Sequence, residues 1–334
     1  MNILINCPFK FNIKNSHHKK LGGIESLSID LAKSLSKKKY NVTLSTICKK
    51  PSFKNNVKNI SLNEIKNNPR KFHFDKIISS NDATIFNYFP NSKKFLWLHN
   101  PLQLEKALRK GQLLSIIRNR PTAIFVSDYL KTITSSLFFF TKKITINNFL
   151  LNDFILKKID TKKRKPIIIW SVARNKGLNE TIKMWIDQVY PEMNTAKLFI
   201  LGVKKLPNNL NKNYLKSKNI YFKGRVSRDV LKKIYLKSSA MICLGYDETF
   251  CLNALEANAC GLPILSFGKT ALSKFIINKY NGFIVKDFKS LSDKIKTLLK
   301  FDRKNKLKFL NNSFNHSKKF TINNSIFYWL KLLK

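Results

Sequence analysis

Apolar residues occur along this chain in short runs, and between the runs they return every three or four positions. In the first half the runs predict strands at 2–6, 41–47, 76–79, 95–99, 122–127 and 143–147. In the second half they predict strands at 166–170, 197–202, 219–223, 240–244 and 263–266. Helical spacing is clearest from Gly22–Gly23 to about Lys37, where Ile24, Leu27, Leu31 and Leu35 share one face. Similar spacing predicts helices near 177–189, 227–237 and 252–260. Strands that alternate with helices predict an α/β fold, with parallel sheets covered by helices on both faces. A polar, non-periodic stretch from Lys157 to Lys165 separates the halves and reads as a linker. The opening residues Met-Asn-Ile-Leu-Ile-Asn-Cys-Pro read as a first buried strand, not a signal peptide.

Composition agrees with a folded chain. With 334 residues, 43% of them hydrophobic, there is apolar material for a substantial core. One core stops growing near ~250–300 residues, so two domains are expected. No run reaches the ~18 apolar residues of a membrane span. Cys7, Cys48, Cys243, Cys251 and Cys260 are odd in number and include no CxxC pair. They read as free thiols in a reducing, cytoplasmic setting, not as a disulfide framework or a zinc site.

The net charge of +44 invites a nucleic-acid reading. Yet 54 of the 63 basic residues are Lys, in a chain crowded with Asn, Ile and Phe. A strongly A/T-rich genome gives that bias without selection for binding. The excess is also spread evenly, +19 over residues 1–150 and +25 over residues 151–334. Drift therefore accounts for most of it, and a local patch for anionic partners stays open.

In doubly wound sheets ligands sit on loops beyond the carboxyl ends of the strands. Three such loops carry chemistry. Gly22 and Gly23 open the first helix, where backbone N–H groups can approach a phosphate; the alternative is a plain glycine turn. Arg174 and Lys176 stand where a helix begins, although cations favour the other end, which makes sense if an anion lies between them. Solvated side chains in a Lys-rich chain are the alternative. The third loop runs Gly245-Tyr246-Asp247-Glu248-Thr249-Phe250-Cys251 into Leu252-Asn253-Ala254-Leu255-Glu256, and Gly261 and Pro263 close the helix. Only seven Glu occur in the chain, so a pair eight apart arises by chance about one time in eight.

The whole stretch from Glu248 to Pro263 resembles the Glu-x7-Glu signature of the retaining family 4 glycosyltransferases. Other pieces fall in that family's order: Gly22-Gly23-Ile24-Glu25, Val126-Ser127-Asp128, Arg174…Lys176-Gly177-Leu178, Gly224-Arg225-Val226 and Asn281-Gly282-Phe283. The resemblance implies a GT-B fold, two Rossmann-like domains facing across a cleft. It implies an acceptor-side domain over 1–155, a linker at 156–165, a nucleotide-sugar domain over 166–318, and a final segment, 319–334, whose helix at 320–333 returns to the first domain.

By the same resemblance Glu256 takes the ribose hydroxyls, and Glu248 faces the donor sugar beside the N–H groups of Phe250 and Cys251. Arg174 and Lys176 neutralise the departing diphosphate, with Gly22 and Gly23 contacting it from the first domain. Val226 lies by the base, and His99, in Trp97-Leu98-His99-Asn100-Pro101, lies beside the reacting sugar. The implied activity is transfer from a UDP-, GDP- or ADP-sugar to a glycan or lipid-linked acceptor in surface polysaccharide or lipopolysaccharide synthesis. No cofactor or divalent cation is required, and no Asp-x-Asp is present. Two departures stand out: a single residue separates Arg174 from Lys176, and Cys251 replaces the family's glycine. Residues 103–118 could form a basic amphipathic segment toward an anionic membrane. The other readings are a polyanion or nucleic-acid binder, without any RNA- or DNA-binding motif to support it, and a catalytically silent GT-B scaffold.

Overall fold

A computed structural model describes residues 1–15, 21–160, 164–171, 177–203 and 210–334. The chain divides into two compact units, Met1–Asn152 with Phe320–Lys334, and Asp153–Lys319.

The first unit holds β1 (Asn2–Asn6), β2 (Asn41–Thr46), β3 (Ser52–Lys54), β4 (Val57–Ser61), β5 (Lys76–Ser80), β6 (Lys93–Leu98), β7 (Thr122–Phe125) and β8 (Lys142–Thr145). They form one sheet in the order β3-β4-β2-β1-β5-β6-β7-β8. All neighbours are parallel except β3 and β4. β1 is buried from Ile3 to Asn6 and β5 along its whole length, as central parallel strands must be when both faces are covered. Helix Gly23–Lys37 buries Leu27, Leu31 and Leu35. The last helix, Ile322–Leu333, packs against it, and Trp329 meets Trp97 of β6 edge-on at 5.1 Å between ring centres.

The second unit holds β9 (Ile167–Ser171), β10 (Lys197–Leu201), β11 (Ile220–Gly224), β12 (Ala240–Ile242), β13 (Ile264–Ser266) and β14 (Gly282–Ile284), in the order β11-β10-β9-β12-β13-β14. Every pair is parallel. Trp170, Trp185, Leu198, Ile200 and Leu265 belong to its core. Arg164, inside the stretch expected as a linker, donates to the carbonyls of Tyr235 at 2.8 Å, Ser238 at 3.0 Å and Cys260 at 2.5 Å. It thereby satisfies carbonyls at the ends of two helices, Arg228–Lys237 and Leu252–Ala259.

In both sheets the strand order reverses at one point, between β1 and β5 and between β9 and β12. Loops leaving the carboxyl ends on either side of such a point diverge and leave a crevice. These are the loops that carry the candidate residues.

Candidate functional site

In the second unit β12 ends at Ile242, and its loop turns through Gly245 at φ +85° and Asp247 at φ +53°. A side chain on Gly245 would meet Leu272 at 2.9 Å and Ser266 at 3.2 Å, so the tight turn requires glycine. Phe250, 3% exposed, anchors the loop edge-on against Phe275, with 4.9 Å between ring centres. Glu248 is half-buried, and its carbonyl accepts from the Ala271 N–H at 3.3 Å.

Cys251 caps helix Leu252–Ala259 at φ +64°, the left-handed conformation that glycine adopts without strain. Its Sγ lies 3.3 Å from the buried Cys243 Sγ. The chain therefore keeps the backbone of a glycine here and seats the thiol beside another. Among the described residues, the N–H groups of Phe250 and Cys251 donate no hydrogen bond. They stand at the positive end of a helix, suited to oxygen acceptors.

Glu256 follows one turn inside that helix. It is 4% exposed, and no described side chain or backbone group hydrogen-bonds its carboxyl. Burial pushes its pKa up to about 7, against the pull of the Arg228 charge. Arg228, at the start of helix Arg228–Lys237, also pairs with Asp153 at 3.5 Å. A buried carboxylate without hydrogen bonds is costly unless a ligand supplies them.

Arg174 and Lys176 lie outside the described residues, but both ends of their loop are fixed against this segment. Ser171, at the end of β9, accepts from Asn253 Nδ2 at 3.1 Å. Gly177, at φ +76°, approaches Leu244 so closely that a Cβ would lie 2.3 Å from its Cδ1. Val226 is half-buried just beyond β11, which ends in Gly224 at φ +61°. The second unit thus gathers Glu248, Phe250, Cys251 and Glu256 on one loop and helix, with Arg228 acting on Glu256.

The first unit carries the rest. Gly22 caps helix Gly23–Lys37 through its backbone alone, and the Glu25 carboxylate folds back so that a Cβ on Gly22 would lie 2.5 Å from it. The chain's own acid thus stands beside that helix start. His99 follows β6, is 5% exposed, and lies against Trp97 with 4.4 Å between ring centres and the planes tilted by 49°. Burial lowers its pKa to about 3, so the imidazole is neutral at physiological pH.

Residues 152–315, nearly the whole second unit, match the family model described as Glycosyl transferases group 1. The chain carries a group 1 glycosyltransferase domain. No curated protein sequence matches it. Among solved structures, sucrose-phosphate synthase from Thermosynechococcus elongatus superposes with a TM-score of 0.74 at 13% identity, covering 99% of this chain and 98% of that one. A glycosyltransferase from Rickettsia africae gives 0.73 at 15% identity over 99% and 97%. Anabaena HepE, in complex with UDP and glucose, gives 0.70 at 15% identity over 100% and 99%. At such identities the likeness shows the fold, and the fold is GT-B.

The sequence pointed to the two glutamates and missed Arg228, whose charge acts on Glu256. Its signal was its side chain, one of only nine Arg against 54 Lys.

Proposed function

We propose that this glycosyltransferase is retaining and moves a sugar from a nucleotide-sugar to a glycan or lipid-linked acceptor. One observation carries the reading: Glu256 is a buried carboxyl without a described hydrogen bond, eight residues after Glu248 on one loop and helix. Two adjacent ribose hydroxyls are the donors that such a carboxylate accommodates, since both can donate to it. The N–H groups of Phe250 and Cys251 then hold sugar hydroxyls or diphosphate oxygens, and Glu248 orients the sugar. Val226 stands toward the base.

Breaking the bond between the anomeric carbon and the diphosphate leaves a dianion and an oxocarbenium-like centre. Arg174 and Lys176 are assigned to that leaving charge, the electrostatic stabilisation that dominates many such reactions. In the first unit, Gly22, Gly23 and His99 are assigned to the diphosphate and the reacting sugar. A neutral His99 fits there, because a buried imidazolium would repel the cationic sugar centre. Retention with no nucleophilic carboxylate requires the acceptor on the face of the departing phosphate, whose oxygen takes the acceptor proton. The motif needs no divalent cation. Solved relatives that hold UDP with glucose, or UDP with N-acetylglucosamine, support a nucleotide-sugar donor. Another, WaaG, is a glycosyltransferase involved in lipopolysaccharide biosynthesis, which supports a surface-glycan pathway.

The test is nucleoside diphosphate release from UDP-, GDP- and ADP-sugars in the absence of acceptor. The reading expects slow release from one base class, abolished by Glu248→Gln or Glu256→Ala. Equal rates in both variants and wild type would remove it.

A further inference from the structure

We propose that Asn81 is a positioning residue that sets the His99 loop, an inference that rests on the assignment of His99 to the reacting sugar. Asn81 follows β5 on the far side of the first unit's switch point, in the left-handed conformation at φ +57°. Its own N–H donates to the Trp97 carbonyl at 3.0 Å. Its side-chain Oδ1 accepts from the N–H of His99 at 2.8 Å and from that of Asn100 at 3.3 Å. One residue thus holds the chain at Trp97, within β6, and at the two residues that leave the sheet.

The clamp is itself anchored. Asn6, at the end of β1, donates through Nδ2 to Ser79 Oγ at 2.9 Å and accepts from Ser45 Oγ at 2.7 Å. Ser79 belongs to β5, two residues before Asn81, and all three side chains are fully buried. A buried, mutually satisfied polar row therefore runs along the carboxyl ends of β2, β1 and β5, and it fixes the strand end that carries Asn81. On the other side the Trp97 indole lies tilted against the His99 ring and is backed by Trp329 of the last helix. The imidazole is set from below by the indole and from the backbone by Asn81. Catalysis by a placed side chain is steep in position, and a displacement of about 1 Å can cost ~100-fold.

The geometry also separates the roles of backbone and side chain. Asn81→Gly keeps access to φ +57° and removes only the acceptor, whereas Asn81→Asp keeps both. Amide hydrogen exchange reads the clamp without any substrate. In Asn81→Gly the His99 and Asn100 amides lose protection while the β6 amides from Phe95 to Leu98 keep theirs, and Asn81→Asp restores it. Unchanged protection of His99 and Asn100 would overturn the proposal.

Nucleoside diphosphate release from UDP-, GDP- and ADP-glucose then tests the consequence. Asn81→Gly should lower kcat about tenfold or more with the donor KM within about threefold, and Asn81→Asp should recover most of it. In a His99→Ala background Asn81→Gly should cost nothing further. A slow His99→Ala with a fast Asn81→Gly, or losses that multiply, would overturn the role of Asn81 alone. A His99→Ala that turns over like wild type would overturn the assignment of His99, and Asn81 with it.

Discussion

Glu256 shows how a single residue can be held against the stability of the fold. Its carboxyl titrates near 7 in the folded chain and near 4.5 when unfolded. The neutral acid is the form that burial favours, so its contribution to stability is fully present below pH 4.5 and is lost as pH rises through 7. Glu256→Gln should therefore raise the stability of the ligand-free protein at pH 8 by up to about 3 kcal/mol, with the gain vanishing toward pH 4.5. Urea melts at several pH values check this, and equal midpoints at pH 8 would contradict the buried charge. Nucleotide affinity should move the other way, rising with pH through about 7 as the carboxylate forms. His99 has the opposite linkage: its lowered pKa leaves stability present above about pH 6.5 and lost as pH falls toward 3. At the diphosphate, Arg174→Ala and Lys176→Ala should each lower turnover by tenfold or more while the melting midpoint stays within error. With only Asn175 between them, a large effect from one and none from the other would mark the second as a solvated cation.

At the scale of elements the apolar pattern was legible where strands are central. β9 is a near-continuous apolar run, β1 is centred on Ile3–Ile5 and β5 on Ile77 and Ile78, and sequence reading placed each within about a residue. β3 escaped it as a three-residue edge strand, and β4, buried beside it, because only Val57 and Ile60 of its five residues are apolar. Asn55 and Asn56, at φ +52° and +58°, were the available signal of a hairpin between them. β14 was missed because three residues of Gly-Phe-Ile are too short to show a period. The candidate segment 103–118 is not one helix, since Gly111 at φ +65° breaks it into Leu104–Arg109 and Gln112–Asn119. Leu108 and Leu114 are nevertheless 58% and 66% exposed beside Lys106, Arg109, Lys110 and Arg118. If that pairing of apolar and basic groups meets an anionic membrane, as the sequence leads us to expect, attachment would be peripheral and reversible. Co-sedimentation with anionic vesicles is expected, lost by ~0.5 M salt and weakened by Leu108→Asp or Leu114→Asp. Equal binding to neutral vesicles, or none to anionic ones, would contradict it.

For the whole molecule, the fold and the glutamate pair were both readable because each rests on local patterns: strand-helix alternation, and eight residues of loop and helix. What was not readable is tertiary. The burial of Arg164, the clamp made by Asn81 and the field of Arg228 on Glu256 all join residues more than fifteen positions apart. Among the described residues no helix is long and apolar enough to cross a membrane. The charge of +44 is spread over both halves of the chain. The contact proposed to hold a nucleotide-sugar is that of its ribose with Glu256. Calorimetric titration with UDP, GDP and ADP at pH 8 and moderate salt, on wild type and Glu256→Ala, tests it directly. One base should bind well above the others, with affinity lost by ~1.5–3 kcal/mol in the variant. Binding that ignores the base, or an affinity that Glu256→Ala leaves unchanged, would contradict it.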